Sequence, residues 1–237
     1  MSKLLLLALA PVIILLTYIW LRDKYEKEPW QMLLKALVLG ALAVIPTLLA
    51  ERGLMALIDL FSGYLRVFWN AFVVAAFTEE LFKFLVLYWL IWKSPEFNEK
   101  FDGIVYAVFV SLGFAAVENI LYVTRYGHDV GITRALTAVP AHFLFGVSMG
   151  YFVGMARFFA SKRKTMMRNA LLVPILMHGT YDFIIMSQNL WLLLAFIPFV
   201  IWMWRFGLKK MKELSDSSIF SYDFRPEDNP FKHPKTE

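Results

Sequence analysis

The chain contains no cysteine. That excludes disulfides, thiolate metal ligands and a cysteine nucleophile. Charge is sparse as well: Asp, Glu, Lys and Arg make up 18% of the 237 residues, and there are four histidines. No H-E-x-x-H zinc pattern occurs, because no histidine is followed by glutamate. No internal repeat is evident. What fills the chain instead is apolar: 59% hydrophobic and 17% aromatic residues, with a mean hydropathy of +0.57. Such a composition leaves no room for an ordinary soluble domain.

Seven apolar runs are long enough to cross a bilayer, which takes about 20 residues as a helix. They are Leu4–Leu21, Met32–Ala50, Val67–Trp92, Phe101–Val123, Ala135–Phe159, Asn169–Ser187 and Leu190–Phe206. Ala8-Leu9-Ala10 has the look of a signal cleavage site, but Pro11 follows it directly, so the first run is read as a retained helix. Of the 24 Lys and Arg, 17 fall on the side reached after spans 1, 3, 5 and 7, and five on the other. The positive-inside rule then puts the N-terminus outside and the C-terminus in the cytoplasm. The net charge of +5 is a topology signal, so no nucleic-acid partner is expected. The expected fold is an all-α polytopic membrane protein of about seven transmembrane helices. Residues 1–208 would form the membrane domain. Residues 209–237, with six basic and six acidic residues and three prolines, would form a polar, unstructured cytoplasmic tail.

Against this background the charged residues inside spans stand out. Glu79 and Glu80 lie in the third run with Lys83 one turn on, at i,i+4 and i,i+3 spacing for pairing on a helix. A charge near the bilayer centre costs at least about 2.5–3.5 kcal/mol, so such groups need partners or a task. Glu118 and Asn119 sit near the outer end of the fourth run and His142 in the fifth. His178 lies in the sixth, with Tyr181 and Asp182 on its helical face. At about 1.5 Å rise per residue, Glu118, His142 and Asp182 fall roughly 7–11 Å below the outer surface, and Glu79 and His178 roughly 14–20 Å. Carboxylates and imidazoles from four helices therefore share the outer half of the membrane. That is the composition of a hydrolytic centre, and equally of a proton or cation pathway.

Chemistry narrows the choice. Gly146-Val-Ser148-Met-Gly150 fits G-x-S-x-G, but a nucleophile elbow needs a strand-to-helix turn. Here the pattern is mid-helix, where small residues serve helix packing. An aspartyl dyad needs two aspartates sharing a proton, and Asp182 has no such companion. What remains is a carboxylate acting as general base on water, with imidazole binding the oxyanion or a metal. Glu79 is assigned as the base, with Glu80 pairing Lys83, although the reverse is open. His178 would bind oxyanion or metal, steered by Asp182. Glu118 and His142 would complete the site. Zinc or another divalent ion fits Glu79, Glu118, His142 and His178 as candidate ligands, and metal-free catalysis stays equally open. The competing class is an ion or proton carrier, or a membrane scaffold.

Four motifs carry a family resemblance: Glu79-Glu80-x-x-Lys83, Phe114-x-x-x-Glu118-Asn119, Ala141-His142 and His178-Gly-x-Tyr181-Asp182. With Tyr25-x-x-Glu28-Pro29, Phe101-Asp102-Gly103-Ile104-Val105-Tyr106 and Ser111-Leu112-Gly113-Phe114-Ala115, they resemble the PrsW family of membrane proteases over Leu4 to about Lys210. The resemblance implies a bacterial plasma-membrane protease that makes the site-1 cut in an anti-sigma factor, a single-pass membrane protein. It also implies that Glu79, Glu80 and His178 are necessary for activity. A more distant resemblance is to the CAAX prenyl endopeptidases, whose pattern is E-E-x-x-x-R, F-x-x-x-H and H-x-x-x-N. Lys83 comes one position before that arginine, Glu118 replaces the first histidine and Asp182 the asparagine, which argues against prenylated substrates.

Overall fold

A computed structural model describes residues 2–221, and every long apolar run within them is helical. Among the described residues nine α-helices follow one another: α1 (Ser2–Arg22), α2 (Trp30–Met55), α3 (Gly63–Phe68), α4 (Thr78–Ile91), α5 (Lys100–Tyr126), α6 (His128–Leu136), α7 (Ala138–Phe158), α8 (Arg163–Ser187) and α9 (Leu190–Asp216). No strand occurs among the described residues. Six of the helical stretches are long and apolar enough to cross a membrane. The third expected span is helical from Gly63 to Ile91, but in three parts: α3, a π-helix over Trp69–Phe77, and α4. Its charged trio Glu79, Glu80 and Lys83 sets it apart from the six.

Local chemistry marks the helix ends. The side chain of Asn189 accepts from the backbone N–H groups of Trp191 (2.9 Å) and Leu192 (3.3 Å) and starts α9. Glu99 and Asp102 form a reciprocal capping box at the start of α5. Gly127, at φ 86°, adopts a conformation L side chains avoid and turns the chain from α5 into α6. Neither α6 nor the π-helix was expected. The sequence pattern placed the residues of α6 in the outer segment before the fifth span.

Helix α5 is the central element, packed most extensively on α7 and α2. With lipid on the outside, helices associate by close packing rather than by hydrophobic exclusion, and small residues set the distance. A Cβ on Gly113 would stand 2.0 Å from the Leu37 carbonyl oxygen, and one on Gly150 would stand 2.2 Å from that of Gly103. Gly150 thus serves the contact between α5 and α7, and the G-x-S-x-G sequence is a packing stripe. Large apolar side chains such as Leu6, Ile14, Leu49, Trp89 and Trp191 point outward, as lipid contact requires.

Two of the motif segments meet at the end of the bundle away from the charged trio. The Tyr106 hydroxyl donates to Glu28, and Asp102 Oδ2 accepts from the N–H groups of Glu99 (2.7 Å) and Asn98 (2.9 Å). The expected tail starts later than Lys209. Helix α9 continues to Asp216 because Met211 and Leu214 are buried and Lys210 and Glu213 pair with each other at 2.9 Å and with Tyr151. The rest of that tail, from Tyr222 on, lies outside the described residues.

Candidate active site

The π-helix delivers the chain directly to Thr78, whose hydroxyl donates to the Val74 and Ala75 carbonyls. This return of a side chain to the backbone supports the carbonyls where the wider turn gives way to α4. One residue later come Glu79 and Glu80. On the other side, Gly179 of α8 faces Phe72 of the π-helix so closely that a Cβ would lie 2.2 Å from Phe72 Cδ1. That contact seats His178, the preceding residue, against the glutamates.

Lys83 forms the floor. Its Nζ lies 2.8 Å from Glu80 Oε1, 3.0 Å from Glu79 Oε2 and 3.1 Å from His142 Nδ1. Phe114 covers it, with the ammonium 4.3 Å from the ring centroid. A lysine only donates, so His142 Nδ1 accepts and Nε2 carries the proton. That Nε2 in turn donates to Glu118 Oε2 at 2.9 Å. His178 Nδ1 is 3.0 Å from Glu80 Oε1 and its Nε2 is 3.3 Å from Asp182 Oδ2. Phe145 stacks on the His178 ring with centroids 4.8 Å apart. The two imidazoles stand edge to face at 5.5 Å.

Exposure grades across this network. The side chains of Lys83 and Glu80 are fully buried and that of Glu79 is 7% exposed, whereas Glu118 and Asp182 reach 17% and 18%. The site therefore has a closed floor and a partly open rim, with Glu79 the more accessible of the paired glutamates. Every residue of the expected set enters this assembly except Asn119. Its amide donates to the Ala8 carbonyl of α1 at 2.9 Å and accepts from Arg134, so it ties helices together.

Arg134 and Glu51 were not foreseen. Arg134, from α6, pairs with Glu118 at 2.8 Å and bonds Asn119 at 3.0 Å. Read as part of an outer segment, it gave no sign of reaching inward. Glu51 of α2 interacts electrostatically with Glu79, Glu118, His178 and Lys83. Its signal was available: it extends the buried α2 stripe Ala36, Gly40, Ala43, Thr47 by one further turn.

The donor set suits a divalent ion. In Glu79, Glu80 and His178, and again in Glu79, Glu118 and His142, one ligand atom from each residue lies within 4.8 Å of the others. Carboxylate oxygen and imidazole nitrogen are donors zinc accepts, and Glu80 Oε2 is buried without a hydrogen-bond partner among the described residues. The residues that would hold an ion are thus Glu79 with either Glu80 and His178 or Glu118 and His142. Such an ion would supply Lewis-acid polarisation of a carbonyl and acidification of a bound water.

Together, a polytopic helical bundle and a buried glutamate–histidine centre define an intramembrane hydrolase. Residues 28–204 match the family model described as PrsW family intramembrane metalloprotease, and the chain belongs to that family. It is 37% identical over 219 residues to Protease PrsW of Clostridioides difficile (strain 630), covering 90% of this chain and 92% of that protein. To Protease PrsW of Bacillus subtilis (strain 168) it is 39% identical over 206 residues, covering 86% and 92%. To Protease PrsW of Oceanobacillus iheyensis it is 35% identical over 221 residues, covering 93% and 100%. No solved structure matches significantly. The chain is therefore an intramembrane protease, a multi-pass protein of the bacterial plasma membrane. The carrier and scaffold readings lose their support.

Proposed function

We propose that this protease makes the site-1 cut in a single-pass membrane protein, an anti-sigma factor, at or just outside the outer membrane face. The observation carrying this reading is the graded site, a buried Glu80–Lys83 floor under a rim of Glu118 and Asp182. The rim lies toward the end of the bundle where α1 begins, since Asn119 beside Glu118 bonds Ala8. The excess of Lys and Arg in the segments at the other end supports placing this one outside. A juxtamembrane segment can enter there once unwound, because a helix keeps its carbonyls in its own hydrogen bonds.

In the chemical step Glu79 takes a proton from water, and the resulting hydroxide adds to the scissile carbonyl carbon. His178 donates a hydrogen bond to the oxyanion that forms by exchanging its longer Nε2 contact with Asp182 for it, while Phe145 stacks on the ring and Nδ1 stays on Glu80. Collapse of the adduct breaks the C–N bond, and Glu79 passes its proton to the departing amine. Lys83 holds both glutamates in place and keeps their charge compensated. Reconstituting the chain in vesicles with an anti-sigma factor tests this. A discrete outer-face fragment is expected with wild type and none with Glu79→Gln. An uncut substrate with wild type, or an equal fragment with Glu79→Gln, overturns it.

A further inference from the structure

Glu51 is the acid of the site that the mechanism leaves unused. It lies one turn beyond Thr47 on the inward stripe of α2 and is partly exposed, near the helix end that Met55 closes. It interacts electrostatically with Glu79, Glu118, His178 and Lys83, yet belongs to neither group of clustered ligand atoms. Among the described residues it has no hydrogen bond or ion pair, and every cation nearby is already engaged. Lys83 serves Glu79 and Glu80, Arg134 serves Glu118, and His178 faces Asp182 and Glu80. A half-buried carboxylate without a partner carries a desolvation cost that a ligand's positive charge offsets.

We propose that Glu51 forms a specificity subsite that receives a lysine or arginine side chain of the substrate, at a fixed offset from the scissile bond. This rests on the protease reading and names what the rim selects. The site as a whole favours such a ligand, with Glu51, Glu79, Glu80, Glu118 and Asp182 set against Lys83 and Arg134 as permanent cations. Glu51 stands outside the ligand clusters, partly exposed and one turn before α2 ends at Met55. It is therefore placed to meet a side chain of the incoming segment rather than an ion on the floor.

The test is to reconstitute the full chain in phosphatidylcholine vesicles with solubilised bacterial membrane proteins and to sequence the new termini. Glu80→Gln serves as the inactive control. Wild type is expected to give cuts with Lys or Arg enriched at one position, Glu51→Gln to lose that enrichment, and Glu51→Lys to replace it with Asp or Glu. For one such basic substrate, Glu51→Gln should raise KM roughly tenfold with kcat kept, the scale of one charge-assisted hydrogen bond. Cuts without a basic preference, or the same preference in Glu51→Gln, overturn the subsite while leaving the protease standing. No cuts above the Glu80→Gln control would sink the proposed function itself.

Discussion

The ammonium of Lys83 donates to Nδ1 of His142 across 3.1 Å, joining α4 to α7 beneath Glu79 and Glu80. Because Lys83 also holds Glu79 and Glu80, it compensates two carboxylates at the floor. Removing one member of a buried ion pair leaves an uncompensated charge, at a cost of about 3–5 kcal/mol. Lys83→Met is therefore expected to lower the melting temperature in detergent and to abolish cleavage. An unchanged melting temperature would mean that the glutamates do not depend on Lys83.

The two glutamates should respond differently to the same change. Glu80 is fully buried between Lys83 and His178, whereas Glu79 stands nearer the opening. Glu79→Gln should remove the base and abolish cleavage while the protein inserts, accumulates and melts close to wild type. Glu80→Gln should abolish cleavage and also destabilise, by roughly 1–3 kcal/mol for a hydrogen-bonded buried charge. Measuring cleavage and melting for both variants separates the roles. Equal melting temperatures would contradict this assignment.

Gly179 offers a test remote from the chemistry. Its closeness to Phe72, with 2.2 Å for an added Cβ, makes Gly179→Ala push α8 away from the π-helix. His178 would then lose its 3.0 Å approach to Glu80, and a misplacement of about 1 Å can cost about a hundredfold in rate. Phe72→Ala opens the same space from the other side. Gly179→Ala should therefore lose about a hundredfold in kcat, and the double variant should recover part of it. No recovery would place the effect elsewhere than at this contact.

Much of this site was legible because the bilayer makes charge conspicuous. Glu79, Glu80, Lys83, His142 and His178 interrupt long apolar runs, and helical rise puts Glu79, His142 and His178 in the same outer half of the membrane. Arg134 was not legible, since nothing in a polar outer segment announces that a short helix folds it back onto Glu118. The π-helix was equally hidden: Trp69–Phe77 has the composition of any apolar span, and the packing of its Phe72 on Gly179 is a tertiary contact. Glu28, Asp102 and Tyr106 were visible as motif residues, but only the tertiary fold brings α5 back onto the α1–α2 loop. The helical state of Lys209–Asp216 was masked by its charges, because Met211 and Leu214 bury one face while the lysines line the other.

The end of the bundle opposite Glu118 and Asp182 should respond to pH. Burial pushes Asp23 up to about 6 and Glu28 and Glu99 to about 7, from ordinary values of 3.8 and 4.5. The folded state then holds more protons than the unfolded one between those limits. The stabilisation is complete below the ordinary values and is lost as pH rises through about 6 to 7. The melting temperature of wild type should therefore fall between about pH 5 and about pH 8. Glu28→Gln, which keeps a hydrogen-bonding group beside Tyr106 but cannot ionise, should show a shallower fall. Parallel curves for the two proteins would rule Glu28 out as a contributor.

Metal removal gives the last test. His142 offers one ring nitrogen to Lys83 and the other to Glu118, so it ligates an ion only by exchanging one of these bonds. Ligation also requires deprotonated ligands and so weakens on acidification. A divalent metal is expected to co-purify with the chain at neutral pH and to be released as the solution is acidified. His142→Ala and Glu118→Gln should each reduce the metal content, since each leaves only two members of that ligand group. A strong chelator should stop cleavage, and zinc should restore it. If the purified chain carries no metal and the chelator leaves cleavage intact, Glu79 activates water with Lys83 at its side and no metal.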